Sequence, residues 1–171
     1  GTYPQLDQAT SGSGGDVTVT STGTVGGAGF GIAALSIGGP GTYVDDSNYF
    51  NGGPSGKVQV TVNGSDEHYI YGIYGPAIAA VSYSGNTPYN LNSFDTNVHG
   101  GPAYSAQSVT VIVGSADNPM SGTISSKSSG AIYLAALNET VQLTRKTGAG
   151  IFAISRGGDG INRKGPKAMY G

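Results

Sequence analysis

The sequence contains no cysteine. That excludes a disulfide framework and a thiolate metal site, and leaves the compartment open. Only 11% of residues are charged, and the formal net charge is -2. Such a chain is not a disordered polyelectrolyte and has no strong attraction to nucleic acid. No apolar run approaches the roughly 18 residues of a membrane-spanning helix. No signal peptide is evident, and the chain opens at Gly1 rather than Met. The expectation is a mature product or an excised piece of a larger protein. No long glycine-poor stretch carries a 3.6-residue apolar period, so helices are not expected. His68 and His99 are the only histidines. Neither has zinc-like spacing, and no Gly-x-Ser-x-Gly elbow is present, so both read as surface or loop residues.

What the chain has instead is glycine, 31 residues of 171, and a repeated phrase. The glycines follow no period of three, which excludes collagen. The phrase reads Gly31-Ile32-Ala33-Ala34-Leu35-Ser36, then Ala77-Ile78-Ala79-Ala80-Val81-Ser82. It returns loosely as Ala131-Ile132-Tyr133-Leu134-Ala135-Ala136 and clearly as Gly150-Ile151-Phe152-Ala153-Ile154-Ser155. Ahead of each copy runs an alternating segment, beginning at Val17, Val58, Val109 and Val141. In Lys57–Asn63 the valines at 58, 60 and 62 take one face and polar residues the other, as a half-buried strand requires. Equal units at unequal intervals suggest rungs joined by loops of varying length. Small side chains at Ala33, Ala34, Ala79, Ala80 and Ala153 suit a narrow interior between rungs about 4.8 Å apart. At roughly 20 residues per rung, the chain would form about eight rungs. Residues 1–15 read as an irregular lead-in. Gly38–Gly56 and Ser84–Gly101, rich in Gly, Pro, Asn and Asp, read as two long loop inserts.

The recurring sentence is Val-x-Val, a short Gly-Thr-Val turn, then Gly-x-Gly-Ile-x-Ala-x-Ser-Ile-Gly-Gly. It is strongest at Val17–Gly41 and Thr147–Gly160. It resembles the glycine-rich passenger repeats of bacterial type V autotransporters, especially those of α-proteobacteria. The resemblance implies a right-handed parallel β-helix displayed on the bacterial cell surface, acting in adhesion or as a stalk. The membrane β-barrel that such proteins carry at the C-terminus is not in this sequence, so the chain looks like a passenger fragment, or a natural protein that kept only the helix.

Motifs for chemistry are weak. Gly29–Ala34 and Gly148–Ala153 fit a loose Gly-x-Gly-x-x-Ala pattern, but a β phrase follows where a dinucleotide site needs a helix N-terminus. Gly157-Gly158-Asp159-Gly160 resembles a calcium nonapeptide without its stacked copies. No cofactor or metal is expected. A glycan-active lyase or hydrolase on the same fold is the alternative. It would need two carboxylates across a cleft, drawn from Asp45, Asp46, Asp66, Glu67, Asp95 and Asp117.

Binding residues are easier to nominate. Tyr69, Tyr71, Tyr74, Tyr83 and Tyr89 cluster, and aromatic rows stack sugars or anchor protein partners. Six of the eight basic residues lie between Arg145 and Lys167, including Arg156, Arg163 and Lys164. They form either a solvated end or a patch for an anionic partner. The expectation is therefore one all-β domain, a solenoid of the right-handed parallel β-helix type, with a non-enzymatic role. Its partners would be surface glycans or proteins of a host or neighbouring cell. Further copies of itself could join through bare strand edges at the ends of the stack.

Overall fold

The protein is described from a computed structural model, which covers residues 9–45, 48–86, 104–126, 132–136, 139–143 and 150–158. Every regular element among them is a strand. The first six are β1 (Ala9–Thr10), β2 (Val17–Ser21), β3 (Val25–Gly27), β4 (Ile32–Ile37), β5 (Thr42–Asp45) and β6 (Asn48–Asn51). Then come β7 (Val58–Val62), β8 (Gly64–Gly72), β9 (Ile78–Tyr83), β10 (Val109–Val113) and β11 (Met120–Ser126). The last three are β12 (Ile132–Ala136), β13 (Glu139–Leu143) and β14 (Ile151–Arg156).

Nine of these strands form three parallel sheets, ordered β2-β7-β10, β3-β8-β11 and β4-β9-β14. Each sheet takes one strand from each of three successive stretches of chain. The stretches form three layers: β2, β3 and β4, then β7, β8 and β9, then β10, β11 and β14. The repeats stack residue on like residue. Val17 pairs with Val58, and Val58 with Val109. Ile32 pairs with Ile78, and Ile78 with Ile151, carrying Ser36, Ser82 and Ser155 into one row.

Alternation sets the core. Val58, Val60, Val62, Ile70, Ile78 and Ala80 of the middle layer are fully buried, together with Ile32 and Ala34 from the first. Val17, Val19, Val109 and Val111, on the outer strands of their sheet, pack against this cluster but stay half-buried. The middle layer therefore holds most of the apolar burial, the dominant favourable term in folding.

Serines close each layer. Ser36 Oγ donates to the Gly15 carbonyl at 2.7 Å, Ser82 Oγ to Gly56 at 2.9 Å, and Ser155 Oγ to Gln107 at 2.9 Å. Each acceptor lies two residues before the valine that opens the layer, so the last side of a layer is tied back to its start. Glycines pack beside these ties. Gly39 N donates to Gly12 O, Gly53 N to Gly39 O, and Gly85 N to Gly53 O, at 2.8–2.9 Å. A Cβ on Gly53 would strike the Gly12 carbonyl, and one on Gly85 the Gly39 carbonyl. Gly53 and Gly85 thus permit backbone contact that a side chain would block.

Several expectations are corrected. Three strands, not eight, stack in each parallel sheet among the described residues. The alternating strand and the phrase are two sides of one layer, so a layer takes at least twice the chain assumed for a rung. The third phrase and the fourth alternating segment leave the stack. Ile132–Ala136 and Glu139–Leu143 pair antiparallel with each other, joined by only two residues. The first insert is not simply a loop, since β5 and β6 pair antiparallel within it and β6 pairs parallel with β1. Its Thr, Tyr, Val and Phe residues favour extended chain. The period of two places Ala34, Ala80 and Ala153 on the face of Ile32, Ile78 and Ile151 and puts Ala33 and Ala79 on the opposite face, where Ala33 is exposed and Ala79 is buried.

Candidate functional site

The middle sheet, β3-β8-β11, positions the tyrosines. Along β8, His68 and Ile70 alternate inward and are buried, while Glu67 and Tyr69 are exposed and Tyr71 is half-buried. His68 is therefore a core residue rather than the expected surface one; the strand period that exposes Tyr69 turns it inside. His99 lies outside the described residues.

Tyr69 is 46% exposed. Its hydroxyl donates to Glu67 Oε1 at 2.6 Å, and its backbone N–H donates to Thr24 Oγ1 at 3.1 Å. The hydrogen bond and the negative charge of Glu67 hold the Tyr69 hydroxyl above its ordinary pKa, since both disfavour a phenolate there. Tyr71 pairs with Gly26 of β3, and its ring occupies the space that a Cβ on Gly26 would fill. In the next layer Thr123 pairs with Tyr69 and Ser125 with Tyr71. Tyr69 and Tyr71, two residues apart on one strand, are spaced about 7 Å. The face thus carries two aromatic rings, one carboxylate and flanking hydroxyls. Tyr74, 69% exposed, stands just beyond the end of β8.

Of the other nominated residues, Tyr83 and Arg156 do not join this face. Tyr83 is on β9, in a different sheet, and is only 5% exposed. Its hydroxyl donates to Asn86 Oδ1 at 3.1 Å, and the Arg156 guanidinium carbon lies 5.5 Å from its ring centroid. Arg156 and Tyr83 pair in register, so stacking itself sets this cation–π contact. Tyr89, Arg163 and Lys164 lie outside the described residues.

Carboxylates for an enzyme are dispersed where they are described. Asp16 Oδ1 accepts from Lys57 N at 2.7 Å, Glu67 is engaged by Tyr69, and Asp117 is exposed in the turn before β11. Asp46 and Asp95 lie outside the described residues. Among the described residues, no three His, Asp or Glu side chains gather as a cation site would require. Sequence reading nominated the tyrosines but gave Glu67, Gly26, Thr123 and Ser125 no part in their site. Glu67 was within reach, two residues before Tyr69 on the same strand face. The others are brought in only by pairing between layers.

No family model, curated protein or solved structure matches the chain.

Proposed function

We propose that the chain is a right-handed parallel β-helix acting as a non-enzymatic passenger segment in adhesion, displayed outside a bacterial cell. Parallel strands joined by crossovers within one sheet are right-handed in about 98% of cases, which supports the hand. Three parallel sheets sharing one core support the helical winding. The resemblance to glycine-rich autotransporter repeats supports the surface role. The contact surface is the outward face of β8, and one observation carries it: Tyr69 is exposed yet fixed at both its hydroxyl and its backbone amide. A ring held in place loses little entropy on binding. Aromatic faces beside a carboxylate and hydroxyls suit the C–H faces and hydroxyls of a neutral sugar chain.

The test is a panel of neutral oligosaccharides titrated against the intact chain and Tyr69→Ala. The expected result is binding that weakens about tenfold in the variant, equivalent to about 1.4 kcal/mol. Absence of binding across the panel, or equal binding by the variant, rejects this face as the contact surface.

A further inference from the structure

The polar edge of the tyrosine face is set by where one proton goes. The Tyr69 hydroxyl has a single proton and gives it to Glu67 Oε1 at 2.6 Å. Its oxygen can then only accept from a ligand. The Glu67 carboxylate is also acceptor-only, and one bond to Oε1 leaves it room for further donors. Both side chains are exposed. A ligand meeting this edge must therefore bring the donors. The charge points the same way. Among the residues of β3, β8 and β11 there is no lysine or arginine, and Asp66 and Glu67 are the two carboxylates. The charge of Glu67 is felt at the ring, since with its hydrogen bond it holds the Tyr69 hydroxyl above its ordinary pKa. The exposed π face of Tyr69 carries the negative side of its quadrupole and attracts cations as well.

We infer that this face selects sugar chains carrying free ammonium groups over their N-acetylated counterparts. It rests on the reading of the face as a sugar-binding surface, and it names the class of sugar. An ammonium brings three donors and a positive charge, and the Glu67 carboxylate and the Tyr69 oxygen both accept. Hydrogen bonds between charged partners are roughly twice as strong as neutral ones. The ring of Tyr69 adds a cation–π attraction. An acetamide in the same place offers one N–H, no charge, and a carbonyl that meets further acceptors. The contacts of the sugar C–H faces with the rings are common to both chains. The acetylated chain therefore still binds, but more weakly.

Titration of the intact chain with a glucosamine tetramer and with an N-acetylglucosamine tetramer tests it. At about pH 6 an amine that titrates near the α-amino value of about 7.7 is charged. The amino chain is then expected to bind about tenfold tighter than the acetylated one. At about pH 9 that amine is neutral, and the gap closes. Glu67→Gln removes the preference and keeps the binding of the acetylated chain. Asp117→Asn takes an equal charge from an exposed turn outside the face and leaves the preference intact. Equal binding of the two chains, or tighter binding of the acetylated one, overturns the inference and leaves the sugar-binding reading standing. A preference that survives Glu67→Gln, or that Asp117→Asn abolishes equally, also overturns it. Binding of neither chain, or binding that Tyr69→Ala leaves unchanged, overturns both.

Discussion

Ser82 Oγ donates to the carbonyl of Gly56 at 2.9 Å and lies 2.8 Å from Ser55 Oγ, in a buried serine cluster that Ser84 joins at 3.1 Å from Ser55 Oγ. Ser155 makes the equivalent bond to Gln107 at 2.9 Å on the exposed third layer. Burial, not geometry, separates the two. Ser82→Ala strands a buried acceptor and is expected to cost about 1–3 kcal/mol. Ser155→Ala leaves its acceptor to water and is expected to change stability by no more than about 0.5 kcal/mol. Urea unfolding of both variants measures the difference.

Gly53→Ala is expected to destabilise by at least about 2 kcal/mol, because the new methyl meets the Gly12 and Ser11 carbonyl oxygens, which are backbone and cannot swing aside. Gly12→Ala, a few ångströms away, places its methyl in open space and is expected to be near neutral. Thermal melts of the pair separate close backbone approach from any general cost of replacing glycine.

Gly26→Ala should behave differently again. Its methyl meets the far end of the Tyr71 ring, which can rotate away. Stability is expected to fall by less than about 1 kcal/mol. The ring is expected to leave the sheet, and binding to the tyrosine face to weaken. Sugar titration alongside a melt reads both effects from one variant.

Tyr69 and Glu67 make a prediction in pH. The folded value of Tyr69 lies above the unfolded value of about 10 because its proton is held by Glu67. The stabilising contribution is therefore complete below the unfolded value and is lost as pH rises through the folded one. In Glu67→Gln the Tyr69 titration is expected to fall back toward about 10. With 11 tyrosines in the chain, the signal must be resolved by residue, so tyrosine ring-carbon NMR assigned with Tyr69→Phe is the measurement. An unchanged titration in Glu67→Gln would remove Glu67 as the cause.

Register was the most legible feature of the sequence. Val17, Val58 and Val109, and the three clear copies of the phrase, pair as their repetition indicates, because identical side chains stack best on themselves. The length of one circuit was not legible. A period of two identifies a strand but not how many strands make one circuit. The loose copy at 131–136 misled for the same reason. Ile132, Leu134 and Val141 alternate as well in a hairpin as in a stack, and the two-residue link to Glu139 favours the hairpin. At the candidate site Tyr69 and Tyr71 were legible from spacing alone. Their neighbours Gly26, Thr123 and Ser125 depend on pairs tens of residues apart, which no local pattern encodes.

The wide separation of stacked partners also governs how quickly the protein can form. Val17 meets Val58, and Ile78 meets Ile151, only after long stretches of chain have been brought back on themselves. Loop closure must come before the contacts that reward it, so folding is expected on the slow side, in milliseconds to seconds or longer. The middle layer has no apolar surface it can satisfy alone, and it must wait for a neighbour on either side. Assembly is therefore a propagation along the stack, in which each finished layer is the template for the next.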